Sequence, residues 1–162
     1  MSLDEQLDAI HQTRDRADMQ PTIDALLPLY EQYPNDARVL YEAGGAYDTA
    51  GQEGLACSFY ERALEAGMSG DLLRRCYVQY GSTLRNLGQH PRSLEVFARA
   101  RRDFPDSPSL AVFEALSMYA AGKSDTAFAA LLDVVTDRIH SPDIDRYGAA
   151  LRANAAFLRS GT

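Results

Sequence analysis

Residues 77–105, YVQYGSTLRNLGQHPRSLEVFARARRDFP, decide how the rest of this chain is read. Tyr77, Tyr80, Gly81 and Leu84 follow one another at the three- and four-residue spacings of a single helix face, and Leu87-Gly88 closes that run. Pro91 opens a second run carrying Ser93, Phe97 and Ala100, which Pro105 closes. The stretch therefore predicts two short helices folded back on each other.

The same pattern returns on a fixed beat. Gly44, Gly81 and Ala115 are separated by 37 and 34 residues, and each has companions at offsets 12, 16 and 19. These are Ala56, Tyr60 and Ala63 after Gly44, then Ser93, Phe97 and Ala100, then Ala127, Leu131 and Val134. Small residues at such positions let two helix backbones approach closely. In the second hairpin Gly44 is expected to face Ala56, with Tyr47 and Tyr60 filling the gaps beside them. Gly67-Met68-Ser69-Gly70 absorbs the three extra residues between the first two beats.

Local signals frame the helices. Ser2 and Glu5 form a capping-box pair ahead of Leu3, Leu7 and Ile10. Pro21 is expected as the first residue of a helix carrying Ile23, Leu26, Leu27 and Tyr30 and ending at Tyr33-Pro34. Asn35 or Asp36 caps the next helix, and Ser107-Pro108 and Ser141-Pro142 repeat one start signal. A last helix, with Tyr147, Leu151, Ala155 and Leu158 on one face, has no sequence partner and reads as a cap over the preceding repeat.

A small–small–aromatic register near 34 residues resembles the tetratricopeptide repeat, a pair of antiparallel helices. The octapeptide Gly81-Ser82-Thr83-Leu84-Arg85-Asn86-Leu87-Gly88, followed by Phe104-Pro105, is similar to the bacterial tetratricopeptide repeat family numbered the fifth, over about residues 37–136. The resemblance implies an all-α right-handed superhelix of antiparallel hairpins and a protein-binding role, and it brings no catalytic residues. The expected organisation is one domain, 1–162. It comprises a degenerate hairpin at 1–36, repeats at 37–70, 71–107 and 108–141, and a capping helix at 142–160.

Composition narrows the function. Hydrophobic content of 46%, 24% charged residues and seven prolines fit a compact helical protein. No stretch is long and apolar enough for a membrane span. The acidic N-terminus lacks the basic start of a secretory signal, so a cytoplasmic protein is expected. Net charge of −7 argues against a nucleic-acid partner. Residues 1–36 carry a net −6 and residues 74–107 a net +4, so copies of the chain could attract each other as a homodimer or scaffold; equally, both could be solvated faces. Cys57 and Cys76 have no metal-ligand spacing and read as reduced core thiols. His11, His90 and His140 are isolated, Asp143 and Asp145 suit a helix start, and no phosphate-cradling or nucleophile-elbow motif occurs. No catalytic residue, metal or cofactor is expected.

In the resembled architecture the first helix of each pair lines a concave groove. Counting from the small residues selects Arg38, Tyr41, Glu42, Gly45, Asp48 and Thr49, then Arg75, Val78, Gln79, Ser82, Arg85 and Asn86, then Val112, Phe113, Leu116 and Tyr119. Tyr41, Asp48, Gln79, Arg85, Asn86, Phe113 and Tyr119 are the residues expected to hold a peptide or protein segment, since aromatic and arginine side chains carry most interface energy. Two other readings stand beside this one: Asp48 and Arg85 could simply pair, and the last helix could cover Phe113, Leu116 and Tyr119. A chaperone-type carboxylate clamp is not expected, because its cationic and amide positions correspond here to Tyr41, Gly45, Gln79, Ser109 and Phe113.

Overall fold

The computed structural model describes residues 1–161, and these form nine α-helices. They are α1 (Leu3–Thr13), α2 (Gln20–Gln32), α3 (Ala37–Thr49), α4 (Glu53–Glu65), α5 (Gly70–Asn86), α6 (His90–Asp103), α7 (Pro108–Ala120), α8 (Ser124–Arg138) and α9 (Pro142–Ser160). Two compact units emerge, Met1–Thr83 and Leu84 onward, with the boundary inside α5.

In the first unit the capping box at Ser2 and Glu5 forms as read, with both hydrogen bonds present. α2 starts one residue before the expected position: Gln20 is its first residue and Pro21 its second, where the missing amide donor is still harmless. Pro28 lies inside α2 on its exposed side, and Asp24, whose carbonyl loses its usual partner, is exposed to water. Leu7, Met19, Ile23, Leu26, Leu29, Val39 and Ala46 form the buried cluster that joins α1, α2 and α3. Asp36 caps α3 by accepting from the amides of Arg38 and Val39, each at 3.0 Å.

At the α3–α4 crossing the two small residues, Gly44 and Ala56, are both buried. A Cβ on Gly44 would lie 2.8 Å from Cδ1 and Cε1 of Tyr60, so it is the tyrosine ring that occupies the space the glycine leaves open. Ala56 is fully buried nearby. Tyr47, expected in that gap, instead stacks on Phe59 with centroids 5.3 Å apart, and Phe59 meets Tyr30 edge-on at 5.3 Å. Arg62 joins the two hairpins, donating to the Tyr30 hydroxyl at 2.6 Å and to the Pro34 carbonyl at 2.7 Å. Within α5, Cys76, Tyr77, Tyr80 and Gly81 are buried.

The second unit is built from smaller side chains. Phe97 and Leu110 are its large, fully buried groups besides Leu84 at the end of α5, and around them lie Ala100, Ala115, Ala127, Ala129 and Ala155. The Ser93 and Ser117 hydroxyls, both fully buried, hydrogen-bond to each other between α6 and α7 at 2.8 Å. α9 packs on α8, with Gly148 and Ala155 buried and Ile144, Leu151 and Leu158 half-buried on the same stripe. Tyr147, expected on that face, is 56% exposed: the stripe runs through Gly148, one position round the helix. Arg152 and Asp137, at 3.2 Å, and Arg159 and Asp133 add ion pairs between α9 and α8.

In the pairs α3–α4, α5–α6 and α7–α8 the turn from the first to the second helix follows the same beat as the sequence. Gly51, Gly88 and Gly122 adopt φ of +77°, +73° and +78° and let the next residue's amide return to Tyr47, Leu84 and Met118. Only glycine takes that conformation without strain, which fixes the spacing between paired helices.

Candidate binding surfaces

The expected groove residues divide between the two units. In the first, α1 occupies part of the lining assigned to α3. Arg38 pairs with Asp4 at 2.6 Å and with Asp8, and Glu42 lies 3.2 Å from His11 Nδ1. The acidic first hairpin is thus partly neutralised within the chain. Tyr41 is half-buried with its ring 6.2 Å from that of Tyr60, and burial pushes its phenol up to about 12. Asp48 accepts from the Tyr60 hydroxyl at 3.4 Å. Burial raises its carboxyl above the usual range, against the opposing hydrogen bonds of Thr83 and Tyr60. Gln79 is exposed, and its backbone carbonyl accepts from the Thr83 hydroxyl at 2.8 Å.

In the second unit the picture is more open. Arg85 is half-buried, and its Nη1 is shielded from water without a hydrogen-bond partner among the described residues. Burial lowers the pKa of this guanidinium. Asn86 is exposed one residue further on. On α7, Phe113 is half-buried while Leu116 and Tyr119 are 42% and 68% exposed, so α9, which packs on α8, leaves these two uncovered. Exposed apolar groups on one helix face and, in the same unit, a guanidinium with an unmet donor are the ingredients of a protein-binding surface.

One feature is absent from the sequence reading. On the opposite side of α7 a cavity of about 390 Å³ lies between the α6–α7 turn, α7, α8 and the end of α9. Glu114 stands on its wall and occupies the register position just before the small residue, where the other repeats have the buried Ala43 and Tyr80. A carboxylate at an otherwise apolar position was the signal available in the sequence. Among the described residues no group of histidine, cysteine and carboxylate side chains is arranged to hold a metal, and no helix is long and apolar enough to cross a membrane.

Among solved structures, that of MamA superposes with a TM-score of 0.70 at 17% identity, covering 98% of this chain and 91% of that one. That likeness concerns the fold alone. The structure titled YrrB, "a TPR protein with an unusual peptide-binding site", is 16% identical over 95% of this chain and 88% of that one, but its TM-score of 0.36 is too low to carry an argument. No curated protein sequence matches the chain. The family profile described as Tetratrico peptide repeat matches residues 37–158, past the expected limit of 136 and through most of α9. With helix pairs, glycine turns and buried small residues all on one beat beneath that match, the chain belongs to the tetratricopeptide repeat family.

Proposed function

We propose that this chain is a non-catalytic interaction module that captures a peptide or protein segment on the exposed faces of its first-in-pair helices. The observation that carries the reading is Arg85, whose buried Nη1 lacks a hydrogen-bond partner among the described residues. A shielded donor without an acceptor costs about 1–3 kcal/mol, and a ligand carboxylate or backbone carbonyl would remove that cost. Asn86, Phe113 and Tyr119 supply amide and aromatic groups on the same unit; Tyr41, Asp48 and Gln79 are the corresponding groups of the first unit. Asp48 and Tyr41 are already held by burial and by Tyr60, so the second unit is the stronger contributor.

Selection from a random-peptide library displayed on phage tests this. Enriched sequences should bind the wild-type chain and be lost by Arg85→Ala combined with Tyr119→Ala, with the fold retained. A double variant that holds the selected peptides at full strength would sink the groove reading.

The alternative, charge-driven association between copies, has fewer unengaged charges to draw on. Asp4 and Asp8 pair with Arg38, and Asp71 pairs with both Arg74 and Arg75. Light scattering across salt concentrations separates the two, since assembly through charge dissociates as salt rises.

A further inference from the structure

We propose that the cavity on the α8 side of α7 is a second binding site, which takes a basic side chain, a guanidinium or ammonium on an alkyl stem, from a protein partner. Its volume of about 390 Å³ falls within the roughly 300–1,000 Å³ of ligand sites. Ala111, Met118, Ala130 and Val134 contribute an apolar lining, and charged groups stand among them. That combination suits a side chain with an apolar stem and a charged head.

The sign of the head follows from which groups are already satisfied. Among the lining residues Arg101 donates to the Ser107 carbonyl at 3.0 Å, Arg138 to the Asp106 carbonyl at 2.8 Å, and Arg159 pairs with Asp133. Glu114 is different. Its carboxylate accepts no hydrogen bond from the described residues, and its ion pair with Arg101 Nε is a loose one at 3.7 Å, beyond hydrogen-bonding distance. Lining carboxylates (Asp106, Glu114, Asp133, Asp137) also outnumber arginines. An anion would meet engaged arginines and this carboxylate; a cation would give Glu114 the donors it lacks. Burial holds the Glu114 carboxyl above its usual range, with Arg101 opposing, and a bound cation would bring it down.

The probe is Nα-acetyl-arginine amide, titrated into the isotope-labelled full chain and followed by amide chemical shifts, with the neutral citrulline analogue as control. Saturable shifts are expected at Ala111, Glu114, Met118, Ala130 and Val134 with the arginine probe and not with citrulline. Glu114→Gln should weaken binding at least tenfold. Ala130→Leu, which fills the cavity and leaves every charge in place, should do the same should the first variant fail to fold. Arg85→Ala with Tyr119→Ala should leave these shifts unchanged, so failure here is distinguishable from failure of the groove reading. The site is refuted if no saturable shifts appear at these amides, if citrulline produces equal ones, or if both cavity variants bind as the wild type does.

Discussion

The α3–α4 and α7–α8 pairs share a register and divide their volume in opposite ways. In the first, Gly44 opens a gap and the Tyr60 ring lies in it, flanked by Tyr41 and Tyr80 at 6.2 and 6.5 Å. In the second, Ala115 and Ala127 are both buried, and the aromatic and aliphatic groups of α7, Leu116 and Tyr119, are turned outward. Interiors are close-packed and tolerate neither voids nor overlap, so the space left by a residue as small as Gly44 is taken by a large side chain of the facing helix. When the small residues do the packing, the large ones become available for a surface.

The largest expected effect comes from removing α9. Ending the chain after Ser141 would strip α8 of Gly148, Leu151, Ala155 and Leu158 and of two ion pairs. The second unit should then melt at clearly lower temperature and aggregate, which calorimetry and light scattering would report. Unchanged stability would mean that its small-residue packing suffices alone.

Next is Gly44→Ala, which installs at α3 the side chain that α7 already carries at Ala115. The new methyl would press on the Tyr60 ring at 2.8 Å, and that ring is fully buried. A loss of about 1–3 kcal/mol is expected in urea denaturation. A neutral result would show that the tyrosine can withdraw, and the contrast between the two pairs would collapse.

A smaller effect is expected at the buried serine pair. Ser93→Ala removes the hydroxyl that donates to the buried Ser117 oxygen and should cost about 1 kcal/mol, whereas the double variant with Ser117→Ala should cost less than the sum of the two single ones. Strict additivity would argue that the pair contributes nothing as a pair.

The smallest effect is pH-dependent. Because the folded-state pKa of Asp48 is raised, chiefly by burial, the folded chain holds that proton more tightly than the unfolded chain does. Ionised Asp48 therefore costs stability above the ordinary carboxylate range and costs nothing below it. Asp48→Asn should stabilise the first unit modestly at neutral pH, and the gain should vanish as pH falls through the carboxylate range. A gain that persisted in acid would point to packing instead of charge.

Much of this was legible beforehand. Helix starts at Ser2, Asp36, Ser107 and Ser141 depend on side-chain oxygens reaching amides two or three residues away, so they are written locally. The beat of Gly44, Gly81 and Ala115 was legible because only small residues are tolerated where helices meet, and all three are buried. Of the glycine turns at 51, 88 and 122, the one at Gly88 is legible in the sequence as the close of the Leu87-Gly88 run. The proposed groove rests on a count of register positions, which does not say what already engages them. Arg38 and Glu42 hold groove offsets, yet α1 claims both, through residues about 30 positions away in the chain.

The amino-acid sequence by itself determined the repeat, its period, the capped helix starts and the family, because each rests on contacts between residues close in the chain or on a conformation one residue type can adopt. The tertiary structure alone decided that Tyr47 stacks on Phe59, that α9 turns Gly148 and not Tyr147 toward α8, and that Glu114 faces a cavity. Those outcomes depend on how volumes and charges from distant segments meet, and a helical period specifies a face of a helix without specifying what arrives to cover it.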